Sequence, residues 1–405
     1  MKILFLFFVL GTLSACQSTS PHYKNTGLNS SFDFPGGPFQ EYIVHEQQKI
    51  KKARTRAFGQ KPSNKTIQKN APSEIKPASF TPGKTKKYKH AAVILHGLIV
   101  TPFKMKEISD FLASQGMLVR NVLLPGHGTV PGDLLKVQKE DWVKAAEYAI
   151  SETLKDAEHI HLVGYSTGAG IAMTQAFKRD DITSLMLFSP LVEINSSLAP
   201  AASMIAKTTS FLPSASYPVK MDEINPYQYY SISFNAVAQA YHVTQELKKT
   251  IQQHPKKIPI FMATSLQDSI VRADKNIALF ERFADDNSRL MLFSNTPYET
   301  KDTRIQVVHS AVPEKNILSL SHEGILSQID NPVYGIEGSV RDCLLYKSGS
   351  DQRKKCESAD LKDLYFGEQE AIMTRKDITI SRINFNPFFD QMTASLGAFL
   401  KSMTQ

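Results

Sequence analysis

The feature that most limits how this chain can fold is a regular alternation of buried strands and amphipathic helices that begins after His90. Short apolar runs with the length of buried strands are separated by segments of helical periodicity. The predicted strands are 91–95, 118–123, 159–163, 184–188 and 258–263, and the predicted helices are 104–115, 140–155 and 169–178. This order predicts an α/β fold with a mostly parallel central sheet flanked by helices.

The fourth and fifth predicted strands are separated by some 70 residues, which is far more than a simple crossover needs. We therefore predict a helical cap inserted at about residues 191–256, with helices at 198–211 and 233–251. Insertions on α/β folds commonly cover active sites. The cap is expected to lie over the carboxyl edge of the sheet.

A pentapeptide of the form G-x-S-x-G, Gly164-Tyr165-Ser166-Thr167-Gly168, stands directly between a predicted strand and a predicted helix. In such a turn the serine takes a strained backbone conformation, and side chains in place of the flanking glycines would clash with neighbouring elements. Ser166 is therefore a candidate nucleophile at the carboxyl edge of the sheet. The helix dipole and the N–H of Thr167 would both favour an oxyanion formed beside it.

A serine hydroxyl needs a base, so a histidine oriented by an acid should follow, in the chain order Ser, Asp or Glu, His. Asp268 follows the predicted strand 258–263 and is the preferred acid, with Asp274, Asp285 and Asp286 as rivals on the next helix. Two histidines come after short apolar runs, namely His309 and His322. Spacing alone does not choose between these two histidines.

The second half of an oxyanion hole is expected in the loop after the first core strand, where His96-Gly97-Leu98 precedes Pro102. Gly97 would let the backbone approach a substrate closely, and the N–H of Leu98 would be the second donor beside that of Thr167. Each donor of this kind typically contributes about 2.7–4 kcal/mol to stabilising the transition state.

Three segments together resemble the carboxylesterase and monoacylglycerol-lipase group of the α/β-hydrolase superfamily, which includes relatives of serine aminopeptidase S33. They are His96-Gly97-Leu98, Leu124-Pro125-Gly126-His127-Gly128 with Trp142 downstream, and the pentapeptide around Ser166. The resemblance is clear over residues 91–180 and looser over 181–330. It implies an α/β-hydrolase fold and a serine hydrolase that acts on carboxylic esters through an acyl-enzyme.

The same resemblance implies roles for individual residues. In this group the histidine of the Pro-Gly-His-Gly loop is not the base, so His127 is expected to shape the loop or to line the pocket with His96, Gly97 and Tyr165. The run Ser321-His322-Glu323-Gly324-Ile325 resembles the region of the catalytic histidine in some exported bacterial members. This favours His322 over His309 and completes a triad of Ser166, His322 and Asp268.

The mechanism implied by that triad needs no metal or other cofactor, since the oxyanion hole and the triad supply the charge stabilisation. The expected substrate is a small acyl ester or a lipid, and the preferred hypothesis is a lysophospholipid or a monoacylglycerol. An acyltransferase or a peptidase with the same triad, or a non-catalytic envelope lipoprotein, remains an alternative. Apolar cap residues are expected either to line an acyl-chain pocket or to pack on the core: Ile205, Phe211, Leu212, Tyr217, Tyr227, Tyr229 and Tyr230.

The N-terminus resembles the signal of a bacterial lipoprotein. A short apolar run at residues 3–10 is followed by Leu13-Ser14-Ala15-Cys16, which resembles a lipobox, so residues 1–15 are interpreted as a signal peptide and Cys16 as the lipidated residue. An ordinary signal peptide with a chance cysteine is the alternative. Gln17 stands where an aspartate would, by analogy with enterobacterial lipoproteins, favour the inner membrane, so the prediction is export and a lipid anchor in the outer membrane.

Residues 16–38 lack an apolar period and predict a flexible tether, whereas residues 39–89 predict a helix followed by a basic, extended linker. Residues 45–90 contain 13 of the 47 lysines and arginines but only two of the 39 acidic residues. The rest of the chain therefore holds 34 basic against 37 acidic residues. The formal charge of +8 is concentrated in one segment, so it gives no reason to expect a nucleic-acid partner.

The hydrolase domain is expected to span residues 90–405 and to include a cysteine-containing region at about residues 330–380. Its two cysteines, Cys343 and Cys356, lie 13 positions apart, and an exported context permits a disulfide between them. The alternative is two free thiols. With Cys16 these are the only cysteines among the 405 residues, which excludes a small disulfide-held scaffold.

Overall fold

The alternating pattern after His90 folds into the central sheet of the protein. We describe residues 20–79, 87–209 and 213–403 of a computed structural model. The strands of the sheet are β1 (Ser73–Ile75), β2 (Tyr88–Leu95), β3 (Leu118–Val122), β4 (Ala157–Tyr165), β5 (Ile182–Phe188), β6 (Ile260–Ser265), β7 (Arg289–Ser294) and β8 (Ile305–His309). Within the described residues their spatial order is β1-β3-β2-β4-β5-β6-β7-β8. All neighbours pair in parallel except β1, which is antiparallel to β3. The predicted mostly parallel α/β sheet is confirmed.

Both faces of this sheet are buried. Successive side chains of a strand point to opposite faces, so consecutive apolar residues of one strand belong to two different apolar clusters. In β2, Val93 and Leu95 belong to one apolar cluster while Ala92 and Ile94 belong to the other. The first cluster is covered mainly by α4 (Lys139–Asp156) and α5 (Thr167–Lys178), together with α1 (Phe39–Phe58) and α8 (Ala273–Phe283). The second cluster is covered by α3 (Lys106–Ser114), by α11 (Phe389–Ser402) and by the region between β8 and α11.

The long interval between β5 and β6 contains α6 (Ala202–Thr209) and α7 (Phe234–Gln253). The helix α7 differs from the expected cap helix because it packs directly on α5. A Cβ added to Gly170 of α5 would lie 2.8 Å from Cγ1 of Val243 in α7. It is therefore the crossover helix that returns the chain to β6. The segment before it contacts the loop that follows β2, where Val100 pairs with Gln228.

The expected flexible tether at residues 16–38 is wrong for its described part, residues 20–38, which packs on the domain as a strap. The backbone N–H and the hydroxyl of Thr26 donate to the buried Asp133 carboxylate at 2.7 and 2.8 Å, and Asn29 donates to the carbonyl of His127 at 2.8 Å. Phe32 and Phe34 also pack on Tyr42 and Tyr148, but these two apolar residues make no regular period, so hydrophobic patterning does not reveal the segment. The predicted signal peptide and Cys16 lie outside the described residues.

The basic segment after α1 is also more structured than an extended linker. It contains α2 (Asn64–Asn70), which Ser63 caps, and the edge strand β1. Ile67 of α2 packs with Ile50 and Leu123, and the buried Asn70 donates to the carbonyl of Pro226 at 3.1 Å, so two side chains fix this short helix. Residues 80–86 of the predicted linker lie outside the described residues.

The region between β8 and α11 contains α9 (Asp351–Ser358), β9 (Leu364–Gly367), α10 (Gln369–Thr374) and β10 (Thr379–Arg382). β9 and β10 pair in parallel as a second small sheet. Cys343 and Cys356 form a disulfide in this region. None of the helices in the described part of the chain combines the length and the apolar character that crossing a membrane requires.

Candidate active site

Ser166 lies in the sharp turn between β4 and α5, at the carboxyl edge of the sheet. Its backbone has a φ of 51° and a ψ of −117°, a strained conformation for a residue with a side chain. Its N–H donates to the carbonyl of Phe188 at 3.0 Å, which fixes the turn to the next strand. A Cβ added to Gly164 would lie 2.3 Å from Cα of Ala169, so the tight turn requires glycine there.

His322 and Asp268 complete a linear arrangement with this serine. The Nε2 atom of His322 lies 3.0 Å from Oγ of Ser166, and its Nδ1 atom lies 2.6 Å from Oδ2 of Asp268. Ser166, His322 and Asp268 are only 6%, 4% and 5% exposed, so the hydrogen bonds between them are shielded from water. The geometry brings together all three members of the predicted triad.

The acid loop fixes which oxygen of Asp268 faces the histidine. The N–H groups of Ile270 and Val271 donate to Oδ1 at 2.8 and 2.9 Å, which leaves Oδ2 for Nδ1 of His322. When Nδ1 carries the proton and donates it to Oδ2, Nε2 is free to accept the proton of the Ser166 hydroxyl. The arrangement therefore favours the tautomer that a general base requires.

The rival residues occupy other environments. His309 ends β8, and its side chain is exposed. The carboxylate of Asp274 pairs with the guanidinium of Arg272, with oxygen to nitrogen distances of 2.8 and 2.7 Å. Asp285 accepts the hydroxyl of Ser288 at 2.6 Å, and Asp286 is exposed. None of these hydrogen bonds orients His322.

The two predicted oxyanion donors belong to two segments that meet at the nucleophile. Thr167 begins α5, and Leu98 follows Gly97, where an added Cβ would come within 3.1 Å of Cβ of Ser166. Neither N–H group donates to an acceptor in the part of the chain that the structure describes. Ile99 has a φ of 66°, an unusual value for a β-branched residue, and this conformation helps to turn the loop back toward the cap.

His96 and His127 shape the loops beneath the site and do not form an open pocket wall, because both are completely buried. Nε2 of His96 accepts the N–H of Leu124 at 3.0 Å, which puts the proton on Nδ1, where it is donated to the carbonyl of Gly97. Burial lowers the pKa of His96 well below its usual value and lowers the pKa of His127 to about 4. Both rings are therefore neutral at pH 7.

The aromatic residues of the cap contribute to packing and to hydrogen bonds. Tyr217, Tyr227, Tyr229 and Tyr230 are buried, and the hydroxyl of Tyr229 accepts the N–H of Thr129 at 2.8 Å. Tyr165 is also buried, and its ring lies 5.3 Å from that of His322. Phe211 and Leu212, which the sequence assigns to the same group, lie outside the described residues.

Sequence reasoning missed a group of charged residues behind the triad. Glu368 and Arg382 come from the region after β8, and they meet Glu323, the residue after His322. Both glutamates are buried, and each pairs with the Arg382 guanidinium. Glu368 and Arg382 stand 46 and 60 positions after His322 in no recognisable motif, so no local signal marks them.

One group of side chains in the described ranges has donor atoms close enough to bind a metal ion, and it lies far from the triad in the chain. It consists of Asp33, His45 and Glu46. The ammonium of Lys49 pairs with both carboxylates, at 2.8 Å from Glu46. This lysine already supplies the positive charge that the carboxylates attract, so the cluster is better explained as an ion-pair network.

Comparison with known proteins fits this geometry. The family described as Hydrolase_4, serine aminopeptidase S33, matches residues 86–297, which include Ser166 and Asp268 and end before His322. The chain belongs to this family. The predicted membership in the α/β-hydrolase superfamily, as a serine hydrolase, is thereby confirmed.

Relatives of this S33-family chain include the thermostable monoacylglycerol lipase of Bacillus sp. (strain H-257), which is 26% identical over 102 residues. The match covers 25% of this chain and 41% of that lipase, so the chain spans less than half the length of this relative. Among solved structures, the monoacylglycerol lipase of Paleococcus ferrophilus is 19% identical with a TM-score of 0.43, and the match covers 57% of this chain and 91% of that one. A soluble variant of the monoglyceride lipase of Saccharomyces cerevisiae, solved with a substrate analog, is 14% identical with a TM-score of 0.41, covering 55% and 82%.

Proposed function

We propose that this protein hydrolyses carboxylic esters at Ser166. The observation that carries the proposal is the line of hydrogen-bonding atoms from Ser166 through His322 to Asp268, with the amides of Leu98 and Thr167 beside the nucleophile. The Ser166 oxygen attacks the ester carbonyl while Nε2 of His322 takes the hydroxyl proton. The proton then passes to the leaving alcohol, and an acyl-enzyme remains on Ser166.

Deacylation repeats these steps with water as the nucleophile. Nε2 of His322 removes a proton from water as the water oxygen bonds to the acyl carbon, and the tetrahedral oxyanion meets the amides of Leu98 and Thr167. The bond from that carbon to Ser166 then breaks, Ser166 takes back the proton, and the carboxylic acid is released. Asp268 keeps the imidazole in one tautomer and stabilises its positive charge in both halves. The protein groups supply every proton transfer in this cycle.

A lipid acyl ester is the substrate class that we propose. Beside Ser166, whose carbonyl accepts the N–H of Leu191, lies an apolar cluster of Leu191, Ala240 and Val271, with Leu98 and Ile194 packed against it. The three members of the cluster are buried, and the partly exposed Leu98 and Ile194 form its edge, where an apolar side-chain lining suits an alkyl chain better than a charged acyl group. The monoacylglycerol lipases among the relatives are consistent with a lysophospholipid or a monoacylglycerol as substrate.

Export and a lipid anchor at Cys16, in the outer membrane, are part of the same proposal. They rest on the likeness of residues 13–16 to a lipobox and on Gln17 after the cysteine. An anchor would hold the site near membrane lipids, which fits the proposed substrate class.

The test is covalent labelling by a fluorophosphonate probe followed by an ester screen. Wild type and His309→Ala should label, whereas Ser166→Ala should not and His322→Ala should label at least 100-fold more slowly, since the base is lost. Labelled wild type should then release acid from p-nitrophenyl esters. Folded wild type that does not label would contradict the proposal and would favour a binding protein.

A peptidase is the second candidate, since the family description names a serine aminopeptidase. An aminopeptidase must bind the free amine of its substrate, usually through a carboxylate. The carboxylates of Glu323 and Glu368 beside the triad are both paired with Arg382, which argues for the esterase. Faster cleavage of aminoacyl 4-nitroanilides than of esters would favour the peptidase over the esterase. A product that depends on an added alcohol would identify an acyltransferase.

A further inference from the structure

The carboxylate of Glu368 reaches both loops that carry the triad's acid and base. Its Oε2 atom accepts the N–H of His322 at 3.2 Å and lies 3.5 Å from the N–H of Ser269, the residue after Asp268. The residue is completely buried. One side chain therefore connects the two loops whose separation sets the distance from Asp268 to the imidazole.

The backbone around His322 is held by the same region of the chain. The N–H of Leu318 donates to the carbonyl of Phe366 in β9 at 2.8 Å, and the N–H of Glu368 donates to the hydroxyl of Ser319 at 3.1 Å. On the other side, the hydroxyl of Ser321 donates to the carbonyl of Ile383 at 2.6 Å. The segment that carries the base is thus aligned against β9 and against the residue that follows β10.

Arg382 keeps the Glu368 carboxylate charged and oriented. Its Nε atom donates to Oε1 at 2.9 Å, and its Nη1 atom donates to Oε1 of Glu323 at 3.3 Å. Burial acts to raise the pKa of Glu368, but the Arg382 guanidinium and the backbone N–H donors outweigh burial and hold that pKa below its usual value. The carboxylate is therefore ionised when it accepts the N–H of His322, and a charged acceptor makes a stronger hydrogen bond.

A buried ion pair is an expensive way to stabilise a fold, since apolar residues of similar volume often serve as well or better. Here the charged oxygen is directed at two N–H groups in the loops of the triad. We propose that Glu368 is a positioning residue for the triad, which fixes the His322 segment relative to the Asp268 loop so that both imidazole nitrogens stay aligned with their partners. This inference rests on the proposed esterase function, and it places part of the catalytic apparatus outside the segment that the family matches.

The test compares variants of the full chain by their rate of labelling with a fluorophosphonate and by kcat and KM on p-nitrophenyl butyrate. Glu368→Gln keeps the shape but loses the charge, and its amide can accept on one side only. Glu368→Asp keeps the charge with a shorter reach. The matched control is Glu107→Gln, because Glu107 also accepts a backbone N–H, from Gln328 at 2.9 Å, and its other donor is Asn331 rather than a residue of the triad.

We expect Glu368→Gln to lower kcat and the labelling rate by about 10- to 100-fold, since a displacement of about 1 Å can cost that much, with KM within twofold of wild type. Glu368→Asp should recover part of this loss, and Glu107→Gln should stay within twofold in both rates. Circular dichroism and the unfolding temperature would show that each variant is folded.

Two groups of results would overturn the proposal. If wild type labels and Glu368→Gln labels at the same rate, or if Glu107→Gln loses as much, Glu368 does not position the triad. If neither Glu368 variant folds, the residue serves the fold alone. Wild type that labels on Ser166 but cleaves no ester would contradict the proposed substrate class and leave the positioning test intact, because labelling measures the triad directly.

Discussion

At the scale of single residues, the nucleophile turn shows how far the sequence alone can predict a site. The G-x-S-x-G spacing predicts the strained turn because added side chains would collide there, and the structure gives the distances. A Cβ added to Gly168 would lie 2.2 Å from the carbonyl oxygen of Leu95 and 2.4 Å from that of His96. These contacts are with the backbone, which a side-chain rotation cannot relieve.

Gly168→Ala is therefore expected to lower the free energy of unfolding by about 1–3 kcal/mol or more and to reduce esterase activity sharply, because α5 must move away from β2. The control is Gly397→Ala in α11, where the atom nearest to an added Cβ, outside the helix itself, would be Cζ of Phe111 at 3.5 Å. Replacing glycine within a helix should raise the free energy of unfolding by up to about 1 kcal/mol. Urea unfolding of both variants measures the difference, and equal effects would refute the steric explanation.

A second residue-scale prediction concerns Asp342, which is buried beside Arg382. Burial raises its pKa to about 6, although the guanidinium acts in the opposite direction. The native state therefore holds this proton more tightly than the unfolded state does, so the contribution of Asp342 to stability falls as pH rises from about 4 to about 6. The difference in pKa of about two units corresponds to the order of 3 kcal/mol.

Asp342→Asn should remove this pH dependence. Relative to wild type, the variant should gain stability on the order of 3 kcal/mol between pH 4 and pH 7, as measured by urea unfolding at both pH values. A stability difference that is the same at both pH values would show that the Asp342 carboxyl does not titrate in this range.

At the scale of elements, hydrophobic periodicity predicted the strands and helices that have a buried face. It failed where polar contacts or a few isolated side chains fix a segment. The strap at residues 20–38 depends on hydrogen bonds to Asp133 and on the isolated Phe32 and Phe34, and α2 depends on Ile67 and Asn70. The acid loop could be predicted because it follows the strand β6. The position of His322 could not be derived from spacing, since 54 residues separate it from Asp268 and no strand of the main sheet leads into it.

The disulfide is the element-scale feature whose effect can be measured most directly. It joins Cys343, the neighbour of Asp342, to α9, and the N–H of Arg382 donates to the carbonyl of Asp342 at 2.8 Å. Closing a loop of 13 residues restricts the unfolded chain and should stabilise the protein by about 3 kcal/mol. Reduction should therefore lower the unfolding temperature of wild type.

The double variant Cys343→Ala with Cys356→Ala is the control for this prediction. It should unfold at the lower temperature with or without dithiothreitol, whereas wild type should reach that temperature only after reduction. Calorimetry of the two proteins in both conditions makes the comparison. A wild type whose unfolding temperature does not respond to complete reduction would contradict a stabilising effect of the disulfide.

At the scale of the whole molecule, the strap changes how an anchored enzyme would meet its substrate. Because the packed segment begins by Ser20, only four peptide steps connect it to Cys16, and these span at most about 14 Å. Under the proposed lipidation, the domain would be held against the lipid headgroups. The exposed Lys51 and Lys52 lie on α1, whose Phe58 ring is 4.9 Å from the ring of His22 in the strap, and would then be close to an anionic surface.

Cys16→Ser should therefore lower the activity on a membrane substrate without lowering the activity on a soluble ester. The variant should move from the membrane fraction to the soluble fraction, because two acyl chains are enough for stable attachment and their loss removes it. Its kcat/KM on a soluble p-nitrophenyl ester should equal that of wild type, since the triad lies in the folded domain. Its rate on monoacylglycerol in the membrane that holds the wild type should fall at least tenfold, because the local concentration of enzyme at the surface is lost.

The control is Ser166→Ala, which should remain in the membrane fraction without activity and so separates attachment from catalysis. Retention of Cys16→Ser in the membrane fraction would show that attachment does not depend on this cysteine.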